Sequence, residues 1–259
     1  MTRERLDDLL PAGGILPLDE FLDRYLEIRA GQHFALVGPN GCGKTTVGMR
    51  ILKMAHEMHP HTRGVALVSK PDKGPRSEGR RATGDRTVAA LVKQHGAKIT
   101  RSWPPVKPPW SEEPPYWAFW PRHSMDPEVD DEDHYWRFRD AILSSYKTGD
   151  TWVFGDEAYG LTKELGLHRE LVTILSKGRS MNAGAILATQ RPAYVPPSMF
   201  SEAKHLFLWK MSDGAIYERL RELGGTVDPK GIERILRRLR SKHECLYLYP
   251  EDNVMAVLT

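Results

Sequence analysis

The feature that most constrains the fold of this chain is a glycine-rich run between an apolar segment and a helical one. The run begins at Gly38 and matches the full phosphate-loop pattern, Gly-x-x-x-x-Gly-Lys-Thr. Residues 33–37 before it are apolar enough for a buried strand, residues 44–58 after it are predicted to be a helix, and residues 64–69 form a second apolar strand. Strand, loop, helix and strand in this order form a βαβ unit, which predicts a parallel sheet.

The residue types of this run suit a bound triphosphate. Glycines let backbone N–H groups converge on phosphate oxygens, and the helix N-terminus behind them adds a favourable dipole. The Lys44 side chain is predicted to reach the β and γ phosphates, and the Thr45 hydroxyl to bind Mg²⁺. We therefore predict a site for ATP and Mg²⁺, with GTP left open as the nucleotide, formed by Gly38, Pro39, Asn40, Gly41, Cys42, Gly43, Lys44, Thr45 and Thr46.

Two adjacent acids follow a later apolar strand, which is predicted at residues 151–155. Asp156 suits a hold on Mg²⁺ through a water molecule, and Glu157 suits a general base that polarises the attacking water. The alternative is a solvated acidic pair at the end of a strand. Together with the phosphate loop, the pair favours a hydrolase over a kinase, since a kinase must keep water away.

A glutamine and several arginines are further candidates for this site. Gln190 ends a strand predicted at 184–189 and is expected beside the γ-phosphate; the alternative is a glutamine that caps a loop. Arg179 is a candidate for stabilising the charge of the transferring phosphoryl group, from a neighbouring subunit, or else faces solvent at a helix end. Arg169 and Arg191 are rivals for this role.

The phosphate loop, Gly-Pro-Asn-Gly-Cys-Gly-Lys-Thr-Thr, resembles that of transporter-type (ABC) ATPases. Those proteins carry a Leu-Ser-Gly-Gly-Gln signature before the strand with Asp-Glu, and a histidine after the next strand. Here the nearest match, Leu-Ser-Lys-Gly-Arg at residues 175–179, follows the acid pair, and the later strand ends in Gln190. Both departures argue against a transporter-type subunit.

A second resemblance covers residues 177–192, which read Lys-Gly-Arg-Ser-Met-Asn-Ala-Gly-Ala-Ile-Leu-Ala-Thr-Gln-Arg-Pro. A basic turn before a strand that ends in Ala-Thr-Gln-Arg-Pro is similar to the FtsK/HerA superfamily of DNA-pumping ATPases. The resemblance extends over the phosphate loop, the acid pair and residues 140–220, but not over residues 70–130. It implies a homo-oligomeric ring, a glutamine sensor at Gln190, and an arginine from one subunit that completes its neighbour's site.

Within that superfamily, a chain of 259 residues looks most like the DNA-packaging ATPases of tailed bacteriophages. Residues 1–30 are too short for the N-terminal barrel of HerA-type proteins, and no winged helix is visible. The resemblance implies double-stranded DNA as a partner, with a phage portal or procapsid as a further one. The alternatives are a cellular or plasmid DNA pump and a nucleotide-dependent switch in protein assembly.

Clustered basic residues are the candidates for DNA contacts. Residues 70–86 carry six basic and three acidic residues without periodicity, which is typical of a loop. A second basic cluster, at residues 230–242, also has the amphipathic pattern of a solvated helix. A charged surface loop is the alternative to DNA contact for the first cluster, whose candidate residues are Lys70, Lys73, Arg76, Arg80, Arg81 and Arg86.

A proline-rich and tryptophan-rich segment follows the first basic cluster. Residues 103–121 hold seven prolines and four tryptophans. So much proline excludes a regular helix, and the aromatic rings require burial or a partner. We predict an irregular insertion on the edge of the sheet; base stacking and a subunit or portal contact are the alternatives to core packing for its tryptophans, Trp103, Trp110, Trp117 and Trp120.

These patterns predict an α/β fold: a P-loop NTPase core of the ASCE type with a mostly parallel central sheet, helices on both faces, and a C-terminal β-hairpin from strands at 243–249 and 253–258. A hydrophobic content of 40% is enough for one large core, and we expect a single ATPase domain over residues 1–259. The chain has no run of about 18 apolar residues, so no membrane span is predicted. Two cysteines fit a reducing compartment, and we expect a cytoplasmic location, in the host if the protein is viral.

Overall fold

The computed structural model describes residues 14–70, 86–105, 116–211, 214–221 and 228–259, and within them the strands form one ten-stranded sheet. The order across the sheet is β1-β10-β9-β8-β2-β7-β6-β3-β5-β4. From β8 to β4 all neighbours are parallel, whereas β9 is antiparallel to both β8 and β10. The mostly parallel sheet is therefore confirmed. In chain order the strands are β1 (Ile15–Leu16), β2 (His33–Val37), β3 (Arg63–Leu67), β4 (Lys98–Thr100), β5 (Tyr116–Phe119), β6 (Thr151–Gly155), β7 (Ala183–Thr189), β8 (His205–Trp209), β9 (Cys245–Tyr249) and β10 (Val254–Leu258).

Helices cover both faces of this sheet, as predicted. Successive residues of a strand point to opposite faces, so Phe34 and Leu36 of β2 pack on one side, and Ala35 and Val37 on the other. The first face is covered by α1 (Leu18–Arg24), α2 (Lys44–Met58) and α3 (Arg86–His95). The second is covered by α4 (Pro127–Thr148), α5 (His168–Lys177), α6 (Ser198–Ser201), α7 (Ala215–Leu220) and α8 (Pro229–Arg238).

The insertion departs from the predicted irregular structure at one point. Tyr116–Phe119 form β5, which pairs with β3 inside the sheet and leaves the short β4 as the edge. This strand follows many prolines and is buried at every residue, so it lacks the alternation that marks a half-buried strand.

The described tryptophans of the insertion pack on the core. Trp120 is 1% exposed and Trp117 is 8% exposed. The Trp103 indole donates to the Ser144 hydroxyl at 2.6 Å, and its ring packs on Phe119. Core packing is thus the arrangement found for these three rings, and Trp110 lies outside the described residues.

The C-terminal hairpin is found as predicted, with β9 and β10 joined through residues 250–252. The structure adds β1, which pairs in parallel with β10 at the edge of the sheet. Among the described residues, no helix is long and apolar enough to cross a membrane.

Two glycines allow close packing behind the central strands. A Cβ on Gly48 of α2 would lie 2.5 Å from the Phe154 ring of β6, so the glycine lets α2 approach that strand closely. A Cβ on Gly184 of β7 would lie 2.2 Å from the Trp152 ring and 2.8 Å from the Gln32 carbonyl oxygen. Both contacts involve β6, the strand that precedes the acid pair.

The crowding at Gly184 predicts a loss of stability in Gly184→Ala. The added methyl group meets a fully buried ring and backbone, and overpacking of this kind costs about 1–3 kcal/mol. The free energy of unfolding, measured by urea denaturation, should fall by that amount. Gly214→Ala is the matched control, because a Cβ there meets nothing within 4 Å. Equal unfolding free energies in the two variants would contradict this packing.

Candidate nucleotide site

The topology brings the predicted site residues to one edge of the sheet. The strands β2, β7 and β6 are parallel neighbours, in that order, so their carboxyl ends lie side by side. The phosphate loop follows β2, Gln190 follows β7, and Asp156-Glu157 follow β6. In parallel α/β sheets, ligands bind outside the carboxyl ends of the strands, so this edge is the candidate site.

The phosphate loop turns tightly at two glycines. Gly41 has φ +71° and Gly43 has φ +110°, and this left-handed region favours glycine. Gly43 is the N-cap of α2, so the first N–H groups of the helix face the loop. A ring of backbone donors at a helix N-terminus is suited to binding phosphate.

The Lys44 side chain lies inside the loop. Its Nζ donates to the carbonyl oxygens of Gly38 and Pro39, at 2.8 Å in each case, and the residue is 7% exposed. The ammonium group is therefore already held beside the backbone that is predicted to surround the phosphates.

The Thr45 hydroxyl and the Asp156 carboxylate lie in direct contact. Thr45 Oγ1 donates to Asp156 Oδ1 at 2.5 Å, which ties the start of α2 to the end of β6. Hydroxyl and carboxylate oxygens suit Mg²⁺, which is usually bound through one or two carboxylates plus substrate phosphates. No cluster of three or more His, Cys, Asp or Glu side chains occurs in the described ranges, and a site of this kind requires none.

Lys70 also contacts Asp156, which the sequence did not indicate. Its Nζ lies 3.7 Å from Asp156 Oδ2, and its backbone carbonyl accepts a hydrogen bond of 2.8 Å from the Trp120 indole. The contact arises because β3, which leads to Lys70, is the neighbour of β6, and this strand order is not visible in the sequence. A residue predicted for DNA contact thus lies beside the candidate metal ligand.

The other candidates for DNA contact are not placed by the structure. Residues 71–85 lie outside the described ranges, and with them Lys73, Arg76, Arg80 and Arg81. Arg86 begins α3, and its side chain is likewise outside the description.

Glu157 is half-buried next to Asp156. Burial raises the pKa of its carboxyl group, the Asp156 charge raises that pKa further, and the Lys44 ammonium lowers it. Its carboxylate accepts backbone hydrogen bonds from Gln190 and Tyr159. A carboxylate with a raised pKa is a better proton acceptor than an ordinary one, so the environment suits a general base.

Gln190 and Arg191 are both brought to this edge. Gln190 is half-buried, and its backbone N–H points at Glu157, which places the residue between the phosphate loop and the acid pair. The Arg191 guanidinium lies 4.5 Å from the centre of the Tyr159 ring. Arg191 directly follows Gln190 in the chain, and it is exposed.

Arg179 lies at the amino end of β7, which is the end of the sheet away from the phosphate loop. It belongs to a short 3-10 helix that precedes β7, and its backbone packs against Gly31, just before β2. The seven residues of β7 span about 20 Å between Arg179 and Gln190. Arg179 thus does not reach the loop of its own chain, whereas Arg169, exposed at the start of α5, lies towards the carboxyl edge.

Two contacts on the far side of the phosphate loop were not predicted from the sequence. A Cβ on Gly38 would lie 2.6 Å from the Cβ of Trp209, so the start of the loop packs directly on the end of β8. The His243 Nδ1 lies 3.3 Å from the Cys42 carbonyl oxygen. Trp209 and His243 lie outside any motif, and only the pairing of β8 with β2 and β9 brings them here.

Comparison with protein families matches one part of the chain. The model described as ABC transporter matches residues 23–99, which include the phosphate loop and α2 but end before the acid pair. No curated protein matches the chain in sequence.

Several solved structures share the fold over most of the chain. The genome packaging NTPase B204 from Sulfolobus turreted icosahedral virus 2, in complex with ATP-gammaS, has a TM-score of 0.52 at 14% identity and covers 90% of this chain and 98% of its own. VirB4 of Thermoanaerobacter pseudethanolicus has a TM-score of 0.61 at 11% identity and covers 96% of each chain. Thermomonospora curvata EccC, in complex with a signal sequence peptide, has a TM-score of 0.54 at 11% identity and covers 90% of this chain and 38% of its own.

Identities this low establish a common fold. The ASCE-type core is seen here as the strand β7 between the strand of the phosphate loop and the strand of the acid pair. The phosphate loop, the acid pair and this shared architecture identify the chain as a P-loop ATPase whose fold is shared with B204 and VirB4.

Proposed function

We propose that the chain is an ATP-driven double-stranded DNA translocase that works as a homo-oligomeric ring, and specifically the motor of viral genome packaging. The observation that carries the proposal is the meeting of Lys44, Asp156-Glu157 and Gln190 at one sheet edge. The run from 177 to 192, with its similarity to DNA-pumping ATPases, and the fold shared with a genome packaging NTPase support the choice of substrate.

The proposed chemistry uses groups that are already close together. Mg²⁺, held by the Thr45 hydroxyl and the Asp156 carboxylate, would neutralise charge on the β and γ phosphates. The Lys44 ammonium exchanges the carbonyls of Gly38 and Pro39 for phosphate oxygens. Glu157 takes a proton from the water that attacks the γ-phosphorus, and Gln190 beside it orients that water. The bond from this phosphorus to the β–γ bridging oxygen breaks, and ADP is the leaving group.

The position of Arg179 favours a shared site. Because this arginine lies at the end of the sheet away from its own phosphate loop, a role in hydrolysis would require the nucleotide of another subunit. Arg191 is the alternative to Arg179 for this role, because it lies at the carboxyl edge near the nucleotide site of its own chain. We propose that a ring places Arg179 of one subunit beside the γ-phosphate of the next.

A second candidate function is the movement of protein. The fold is also that of EccC, whose structure holds a signal sequence peptide, and of VirB4. A nucleotide-dependent protein pump or assembly switch would use the same hydrolytic site but would not respond to DNA. A further alternative is a cellular or plasmid DNA pump. Its docking partner distinguishes it from a packaging motor, which docks on a phage portal or procapsid.

The proposed role of Glu157 predicts the behaviour of Glu157→Gln. Loss of the general base should lower the ATP hydrolysis rate about 10²- to 10⁴-fold, whereas ATP binding persists because the phosphate loop is unchanged. Steady-state phosphate release and equilibrium binding of a fluorescent ATP analogue measure the two effects. Glu164→Gln, an exposed acid nearby, is the control. Hydrolysis at the rate of the unmodified protein would remove Glu157 from the mechanism.

The proposed substrate predicts stimulation by DNA. Double-stranded DNA should raise the ATP hydrolysis rate several-fold, and the half-saturating DNA concentration should rise steeply with salt, because phosphate contacts release counterions. The rate is measured over a series of duplex lengths and salt concentrations. A rate that is unchanged by DNA but raised by a co-purifying protein would favour the protein pump.

The contact between Lys70 and Asp156 predicts an effect on Mg²⁺. In Lys70→Met, the carboxylate loses a competing cation, so the half-saturating Mg²⁺ concentration for nucleotide binding should fall. Lys70 is half exposed, and exposed ion pairs contribute up to about 1 kcal/mol, which is a factor of about five. Lys53→Met, which removes an exposed lysine paired with Glu57, is the control. A half-saturating Mg²⁺ concentration that is unchanged or higher in Lys70→Met would show that Lys70 and Mg²⁺ do not compete for Asp156.

A further inference from the structure

We propose that His243 forms the nucleoside side of the nucleotide site, where its imidazole ring packs against the base of bound ATP. The proposal rests on the proposed nucleotide function and adds a residue that no motif marks. Two features support it: the direction of the bound phosphates from the γ-phosphate to the nucleoside, and the segment of the chain that lies on the nucleoside side.

The catalytic groups set the direction of the phosphates. Asp156-Glu157 and Gln190 directly follow β6 and β7, which lie on one side of β2 in the sheet. The γ-phosphate must lie on that side, because it is the group that water attacks. The phosphate loop holds the chain of phosphates between its two ends, so the nucleoside leaves on the other side of β2, over β8 and β9.

The segment at residues 239–244 occupies that side. It leads into β9, which is antiparallel to β8, so it lies at the same carboxyl edge as the phosphate loop. Trp209 at the end of β8 donates its indole N–H to the His243 carbonyl at 3.3 Å. Lys210 donates to the Leu239 carbonyl at 3.2 Å. The segment is thus held to β8 at both ends, next to the site.

The orientation of the His243 ring is set by the loop itself. A carbonyl oxygen only accepts hydrogen bonds, so Nδ1 of His243 donates to the Cys42 oxygen at 3.3 Å. Cys42 lies in the middle of the phosphate loop and is 1% exposed, so the acceptor is fixed. The residue His243 is itself exposed. The exposed residue therefore holds a flat ring against the loop, on the side of β2 where we place the nucleoside.

Binding of ATP and of inorganic tripolyphosphate to His243→Ala tests the proposal. Stacking of a base on an aromatic ring contributes about 1–3 kcal/mol, so the affinity for ATP should fall about fivefold or more. Tripolyphosphate has no nucleoside, so its affinity should stay within a factor of two of that of the unmodified protein. Calorimetry or competition with a fluorescent analogue, in the same buffer, gives both affinities.

His61→Ala is the matched control, because that exposed histidine lies beside Asp150, before β6, at the edge away from the site. An unchanged ATP affinity in His243→Ala overturns the proposal. An equal loss for both ligands also overturns it, since His243 would then act only by shaping the phosphate loop. If the unmodified protein binds neither ligand, the proposed function fails, and the subsite fails with it.

Discussion

The parallel pairing of β2, β7 and β6 is the constraint on which the site depends. It aligns the carboxyl ends of three strands that are far apart in the chain, so that a loop, a glutamine and an acid pair meet. The hydrogen bond from Thr45 to Asp156 then joins the start of α2 to the end of β6, across the intervening strand β7. Fully buried apolar strands and the close packing of Trp152 on Gly184 hold this alignment from within the core.

The sequence was sufficient for the parts of the site that are local. Each of them is an apolar strand followed directly by the residues that carry chemistry, as with Val37 before the loop and Gly155 before the acid pair. Such a pattern predicts both the strand and the edge at which its polar residues emerge. The helices followed from the amphipathic pattern of their residues, and the C-terminal hairpin from two strands that flank a turn near residues 250–253.

The remaining features depend on strand order, which is a property of the folded sheet. Lys70 reaches Asp156 because β3 lies beside β6, and His243 reaches the phosphate loop because β9 folds back beside β8. The strand β5 was missed because its four buried residues follow prolines and show no alternation. Arg179 was the arginine favoured from the sequence and Arg191 a rival for its role, and the length of β7 separates them onto opposite ends of the sheet.

The central proposal is that ATP hydrolysis at the carboxyl edge drives movement along double-stranded DNA. The most direct measurement is displacement of a third strand from a DNA triplex by the purified protein with ATP and Mg²⁺. Displacement should require ATP hydrolysis and should be lost in Glu157→Gln. ATP hydrolysis at a normal rate with no displacement, on duplexes long enough to load a ring, would contradict the proposal.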